Sequence, residues 1–383
     1  MKWEKVKLGD VIDTCLGKML DKNKNHGVYQ PYLANLNVRW GSFSLDNLEM
    51  MKFEESENER YGLKYGDLVI CEGGEPGRCA VWKNAVPNMK IQKALHRVRT
   101  HQCLYNFYLY YWFLLAGKTG ELEQYFTGAT IKHMPAQKLR EVVISLPPLP
   151  IQQRIASILS AYDELIENNQ KQIKLLEEAA QRLYKEWFVD LRFPGHESVR
   201  VVDGVPEGWR KEKLVELAEL KAGGDKPKIF SKMKSNICKV PIFSNGLENE
   251  GLFGYTDKAD IGQESITISA RGNVGYTCLR RVPYLAIVRL ICVIPRKKDI
   301  STYLYFYLKH TNYNSNGSAQ QQLTIPMIKN TVVCVPDENA LSNFDDKVRR
   351  YFDLVDVLKY QISSLREARD RLLPKLMSGE IEV

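Results

Sequence analysis

Residues 147–188 read PPLPIQQRIASILSAYDELIENNQKQIKLLEEAAQRLYKEWF, and their periodicity decides the fold. Ile155, Leu159, Tyr162, Ile166, Ile173, Leu176, Leu183 and Trp187 fall on an alternating four-three ladder, with Asn169 and Ala180 at the remaining steps. A heptad seam of this length predicts a long helix with a helical partner. The partner lies in the same chain. Adding 189 to each number gives Phe344, Val348, Tyr351, Val355, Leu358, Ile362, Leu365, Arg369, Leu372 and Leu376, a second seam with the same period. Each seam is roughly 50 Å long at 1.5 Å per residue. A lone helix with a wet apolar stripe is unstable, so pairing the two copies is the expected way to bury them. Asn169 is expected to act as a register device, and Arg369 to need solvent or an acidic partner; the bland alternative is that both are wet positions near the ends of the overlap.

Outward from the seams, the rest of the chain also occurs twice. Trp209, Leu214, Leu217 and Gly223 stand 206 residues after Trp3, Leu8, Val11 and Gly17. A strand-turn-strand pattern at 67–82, around the GGEPG turn at 73–77, recurs at 265–279, with Gly272 and Gly275 answering Gly74 and Gly77. The aromatic run YNFYLYYWFLL at 105–115 predicts a buried helix and recurs as TYLYFYLKH at 302–310. Residues 316–336 answer 127–147. Residues 139–146 are expected as a last strand, ended by Pro147 and Pro148, with the helix starting after Pro150. Residues 188–209, rich in glycine, proline and charge, read as a linker. The expected architecture is α+β: two tandem mixed α/β domains separated by a long antiparallel coiled coil of two helices, related by a pseudo-two-fold axis. The boundaries are domain one at 1–147, helix at 148–190, domain two at 191–336 and helix at 337–383.

The 383 residues carry 44% hydrophobic and 26% charged side chains, as in globular chains of more than one domain. No long apolar run predicts a membrane span, and the first residues lack a signal core, so the expected location is cytoplasmic. The eight cysteines form no CxxC pair and read as reduced packing residues. A net charge of +8 is compatible with a polyanion partner.

The motifs of the common reaction centres are missing. There is no [DNS]-P-P-[YFW] tetrapeptide, no GxGxxG after a strand, no P-loop, and no HxH or HExxH among the six histidines. Asp337, Asp345 and Lys347 fit the loose spacing of a metal-dependent nuclease, but the latter two fall on the second seam, a poor place for metal ligands. What remains is polar and duplicated. Arg78 and Lys83 flank the first glycine turn, with Arg271, Asn273 and Arg280 about the second; Thr130, Lys132 and His133 lie in the next loop of the first copy, with Gln320 and Gln321 in that of the second. Arginine, asparagine and glutamine can read base edges, and lysine or threonine can hold phosphates, so these ten are the expected DNA-binding residues. A coiled-coil adaptor binding protein or RNA is the other open reading.

The run LPPLPIQQRIASIL followed by DELIENNQKQIKLLEEAAQRLYKEWFVDLRFPGHE closely resembles the central region of specificity subunits of type I restriction-modification enzymes. DGVPEGW, GSAQQQLTIPMIKN and LREARDRLLPKLMSGEIEV resemble further signatures of that family, in the right order over the whole chain. Ile151 departs from the glutamate that many members carry. The resemblance implies two target recognition domains that each read half of a bipartite, asymmetric double-stranded DNA sequence. It implies a helical pair that spaces them and docks two modification (methyltransferase) subunits, joined by two restriction (endonuclease and ATPase translocase) subunits. It implies no catalysis by this chain, and neither S-adenosylmethionine nor ATP as its cofactor.

Overall fold

The computed structural model describes residues 3–19, 21, 25–313 and 322–383. The chain divides into unit one, Met1–Asn169 with Tyr360–Val383, and unit two, Gln170–Lys359. Both boundaries fall inside the predicted long helices.

In unit one the strands are β1 (Glu4–Lys7), β2 (Ile12–Leu16), β3 (Val28–Leu33), β4 (Glu49–Phe53), β5 (Leu68–Cys71), β6 (Cys79–Val81), β7 (Lys90–Ile91) and β8 (Leu95–Thr100). They are followed by helices α1 (Asn106–Thr119) and α2 (Ala136–Glu141), strand β9 (Val143–Leu146) and the long helix α3 (Leu149–Tyr184). The main sheet has the order β2-β8-β5-β6. β5 is apolar and buried at every position, as a central strand covered on both faces must be. The aromatic helix α1 buries Tyr108 through Leu114 without a break, so its burial is all-round rather than one-sided. Its core is closed by Ile155, Ala156 and Leu159 from α3 and by Leu373, Leu376 and Met377 from the second long helix, α6 (Glu338–Ser378). A smaller sheet, β4-β3-β7, carries one parallel pair, and β1 pairs antiparallel with β9.

Unit two repeats the plan. β10 (Arg210–Lys213) pairs with β18 (Val332–Val335) as β1 does with β9. The main sheet has the order β11-β17-β14-β15, from Ala218–Ala222, Leu290–Pro295, Ser265–Ser269 and Thr277–Arg280. The smaller sheet is β13-β12-β16, from Leu252–Thr256, Val240–Phe243 and Leu285–Ala286, again with one parallel pair. Helices α4 (Ser301–His310) and α5 (Ile325–Ile328) answer α1 and α2. A close approach explains one repeated glycine. A Cβ on Gly17 would lie 2.2 Å from the Gln92 carbonyl oxygen, and on Gly223 2.3 Å from that of Ile287, so no side chain fits at either crossing.

The two long helices, of 36 and 41 residues, pack together antiparallel. Within unit one Arg369 pairs with Asp163, and the Asn169 side-chain amide donates to Gln361 Oε1 at 3.1 Å. Numbers rise on one helix as they fall on the other. Within unit two the same register continues, Tyr184 and Trp187 meeting the Phe344 ring at 6.3 and 6.0 Å. Asn169 is 7% exposed, so it is a buried, paired polar group in the seam rather than a wet end, and Arg369 has its acidic partner.

Three local expectations are corrected. Residues 139–141 belong to α2, and only 143–146 form the strand, because Leu139 folds inward under the turn that follows Pro135. Helix α3 begins at Leu149, with Pro150 in its first turn, where a missing N–H costs nothing. The segment 188–209 is not a free linker: Phe193 and Trp209 are buried against each other at 5.1 Å, with Phe188 5.9 Å from Trp209. Among the described residues no helix is long and apolar enough to cross a membrane.

Candidate nucleic-acid interface

In unit one, two loops meet at the end of β5. The glycine turn has Gly74 at φ 74° and Gly77 at φ 89°, a conformation closed to most side chains. The second loop folds on itself, Thr127 and His133 exchanging backbone hydrogen bonds of 2.8 Å. It is fastened to the first, since the Met134 N–H donates to the Glu72 carbonyl at 2.7 Å. The His133 ring lies over Gly73, where a Cβ would come within 2.7 Å of Nδ1. Thr130, Lys132 and His133 stand exposed on this composite surface, with Lys132 Nζ 3.4 Å from the Glu123 carboxylate. Beneath it His96 donates from Nε2 to the Met134 carbonyl at 2.9 Å, and burial pushes its pKa below the usual histidine value.

Unit two repeats that bond. The Leu323 N–H donates to the Ala270 carbonyl at 2.9 Å, the counterpart of Met134 to Glu72. Arg271 and Asn273 are exposed at the tip of its turn. Gln320 and Gln321 lie outside the described residues.

Three of the expected cations are placed differently from the others. Arg78 is 17% exposed, donating to Glu75 at 3.0 Å and to the Asn35 carbonyl and side-chain oxygens at 3.1 and 3.2 Å. Lys83 Nζ reaches Glu167 on α3 at 2.9 Å. Arg280 departs furthest from the surface expected for it. At 3% exposure it donates to Thr267 Oγ1 at 2.9 Å and the Glu250 carbonyl at 2.7 Å, with its guanidinium 3.7 Å from the Phe243 ring centre. Its charge holds strands together and is turned away from solvent.

Sequence reasoning missed two sets of residues. Asn35 donates to the Gly73 carbonyl at 2.7 Å and Asn245 to that of Arg271 at 2.8 Å, so one amide sets the glycine turn in each unit. Their 210-residue offset was the available signal. The second set is Lys226, Lys228, Lys232 and Lys234, all exposed and none ion-paired among the described residues; Lys226 sits 3.8 Å from the Phe230 centre and Lys232 4.4 Å from that of Phe253. Such cations suit phosphates.

The nuclease alternative fails on geometry. Asp337 caps α6 through the Ala340 N–H at 2.9 Å and accepts from Trp209 Nε1 at 3.2 Å, while Asp345 is held by Thr302 and Arg349. Among the described residues no group of three or more histidine, cysteine or acidic side chains could hold a metal ion. The cysteines are all free thiols, and burial pushes those of Cys71 and Cys292 up to about 11.

Comparison with known proteins returns one answer. A family model described as the type I restriction modification DNA specificity domain matches residues 1–178 and again 206–349. The chain is 31% identical over 340 residues to the type I restriction enzyme MjaIX specificity subunit of Methanocaldococcus jannaschii, covering 83% of this chain and 78% of that one. It is 24% identical over 418 residues to the MjaVIII specificity subunit of the same organism, covering 100% and 93%. Its fold is similar to the crystal structure of the type I restriction-modification system S subunit from M. genitalium, with a TM-score of 0.60, 19% identity, and coverage of 98% and 96%.

Proposed function

Because this chain belongs to the type I restriction-modification DNA specificity family, we propose that its two units each read one half of a bipartite, asymmetric DNA target. It is a DNA specificity subunit of such a complex and is not itself catalytic. In the finer reading, residues 1–147 and 191–336 are the target recognition domains, and helices 148–190 and 337–383 set the spacing of the half-sites. The same helices dock two modification subunits, two restriction subunits complete the cytoplasmic assembly, and this chain holds no cofactor. The unbroken helical register within each unit supports the spacing role.

The observation that carries the reading is the repeated backbone bond, Met134 to Glu72 and Leu323 to Ala270, which in both copies ties the residue just before the glycine turn to the segment ahead of the last short helix. On the first composite surface Thr130, Lys132 and His133 face the DNA; on the second Arg271 and Asn273 do, and Gln320 and Gln321, outside the described residues, are proposed to bind DNA from the sequence alone. Lys226, Lys228, Lys232 and Lys234 hold phosphates. Arg78 and Lys83 act at the edge, where their partners leave part of each side chain exposed, and Arg280 acts from the interior by holding β14 and β15.

The test is methylome sequencing of cells expressing the chain with its modification subunit. Arg271→Ala is expected to relax base choice in one half-site only, by about 1–3 kcal/mol. Uniform weakening of both half-sites would reduce Arg271 to a phosphate contact, and a single undivided target would overturn the two-reader assignment.

A further inference from the structure

Because the chain carries two copies of one plan, each unit is a control for the other. In unit two the chain leaving α3 turns back through the Arg192 N–H, which donates to the Glu186 carbonyl at 2.8 Å. That turn lays Phe193, 3% exposed, on Trp209. In unit one the chain leaving α6 makes the same turn, the Ile381 N–H donating to the Lys375 carbonyl at 3.3 Å, and Trp3 is the counterpart of Trp209. The place of Phe193 is taken by Glu382, which is exposed. Beside Trp3 there is instead a pocket of about 880 Å³.

The wall of this pocket has the opposite chemistry to its counterpart. Pro148, Leu149 and Ile151 line it, whereas unit two has Asp337, Glu338 and Ala340 at those positions. Where the chain places Phe193 the wall is mostly acidic; where Glu382 stands in its place the wall is apolar. A pocket of this size lies within the roughly 300–1,000 Å³ that bury drug-sized ligands, so it suits a short segment rather than one side chain. Glu4 and Glu382 also line it, and the counterpart of Glu4 is Arg210, so the charge in unit one favours a cationic neighbour beside an apolar anchor.

We propose that the pocket formed by Trp3, Leu146, Pro148, Leu149, Ile151 and Val383 docks an extended segment of a partner polypeptide, with an aromatic side chain entering as Phe193 does and a basic residue meeting Glu4 and Glu382. This site is separate from the DNA-reading loops and does not depend on them. It uses the same burial of an aromatic ring on a tryptophan that seals unit two.

Cys103 lines the pocket and is the one exposed cysteine of the eight, Cys15 and Cys334 being half-buried and the rest buried, which gives a direct readout. The experiment follows alkylation of Cys103 in the full chain by mass spectrometry, with a peptide copying residues 190–197, Asp-Leu-Arg-Phe-Pro-Gly-His-Glu, as probe. At a peptide concentration roughly nine times its Kd, modification is expected to slow roughly tenfold, in proportion to the free pocket. The same peptide with alanine for phenylalanine is expected to give no protection, and neither is the native peptide on Leu149→Glu, which copies unit two and adds an acid at a helix start where it is tolerated. Glu382→Phe is expected to protect Cys103 in cis and to cancel the effect of added peptide. Protection that survives Leu149→Glu or loss of the phenylalanine would overturn the proposal. So would protection by Glu382→Phe without any by the peptide, since the pocket would then accept only its own chain, and so would the absence of both.

Discussion

The two units share one topology and fill it with different chemistry at equivalent places. In unit one Arg369 pairs with Asp163, whose other oxygen accepts from Tyr111 Oη at 2.7 Å; burial, and the Asp163 charge after it, keep that phenol protonated. The equivalent positions in unit two are Ala180, Phe352 and Phe306, and the two phenylalanine rings stack at 6.2 Å. The reverse holds one turn away. Unit two carries Arg349 between Glu264, at 2.9 Å, and Asp345, at 3.0 Å, while unit one has Ser160, Gly66 and Ala156 there. A buried ion pair and a stacked aromatic pair are therefore interchangeable under this fold, provided each set is complete. The requirement is filled volume and satisfied polar groups, not particular residues.

Breaking one set tests this most severely. Arg349→Ala leaves Asp345 largely buried without its cation, Glu264 keeping only Arg281 at 3.8 Å, and a loss of about 3 kcal/mol is expected, confined to unit two in native-state hydrogen exchange. Arg369→Ala does the same to Asp163 in unit one, at about 3 kcal/mol. Adding Asp163→Phe, which copies unit two, is expected to restore much of that loss; if the double variant is as unstable as the sum of its parts, the two solutions are not interchangeable.

A smaller contrast depends on pH. His96 in unit one occupies the place of Ile291 in unit two, and its Nδ1 is buried with no hydrogen-bond partner among the described residues. Burial depresses its pKa, outweighing the Met134 carbonyl and Glu72, which act the other way. The unfolded chain binds this proton near pH 6.5 and the folded unit resists it, so the stabilisation is full above about 6.5 and is lost as pH falls toward the folded value. Exchange in 95–100 and 127–134 is expected to rise at low pH in the native chain and not in His96→Ile. The smallest expected effect is at the clasps that seat the turn-bearing strands on the helices. Lys83→Ala removes one exposed ion pair, Lys83 to Glu167, and is expected to cost no more than about 0.5 kcal/mol. Its counterpart Arg281 also engages Asp353 and Asp356, so Arg281→Ala is expected to cost measurably more in the same urea titration.

The candidate site was only partly legible in advance. The two glycine turns and the first unit's following loop were located, because repeated glycines and their spacing are properties of the chain; the second unit's loop falls outside the described residues. The roles of single cations were not. Lys83 and Arg281 answer each other in the repeat and clasp the helices through Glu167 and Asp356, which answer each other too, yet neither pairing is visible before the strands are laid on the helices. Arg280 reads as a surface charge in a polar stretch and is buried because Phe243 and the Glu250 carbonyl are folded over it.

The order of residues by itself determined the duplicated plan, the two long helices and their antiparallel register. Heptad periodicity and internal offsets are written along the chain, and burying two equal apolar seams admits few solutions. Tertiary structure alone decided which charges face outward, which are spent on holding strands, and that the segment after α3 plugs one groove while, among the described residues, the matching groove in unit one holds a pocket beside Trp3. Those outcomes depend on carboxylates, carbonyls and rings brought together from distant positions, and a side chain's environment is set by the neighbours that folding supplies.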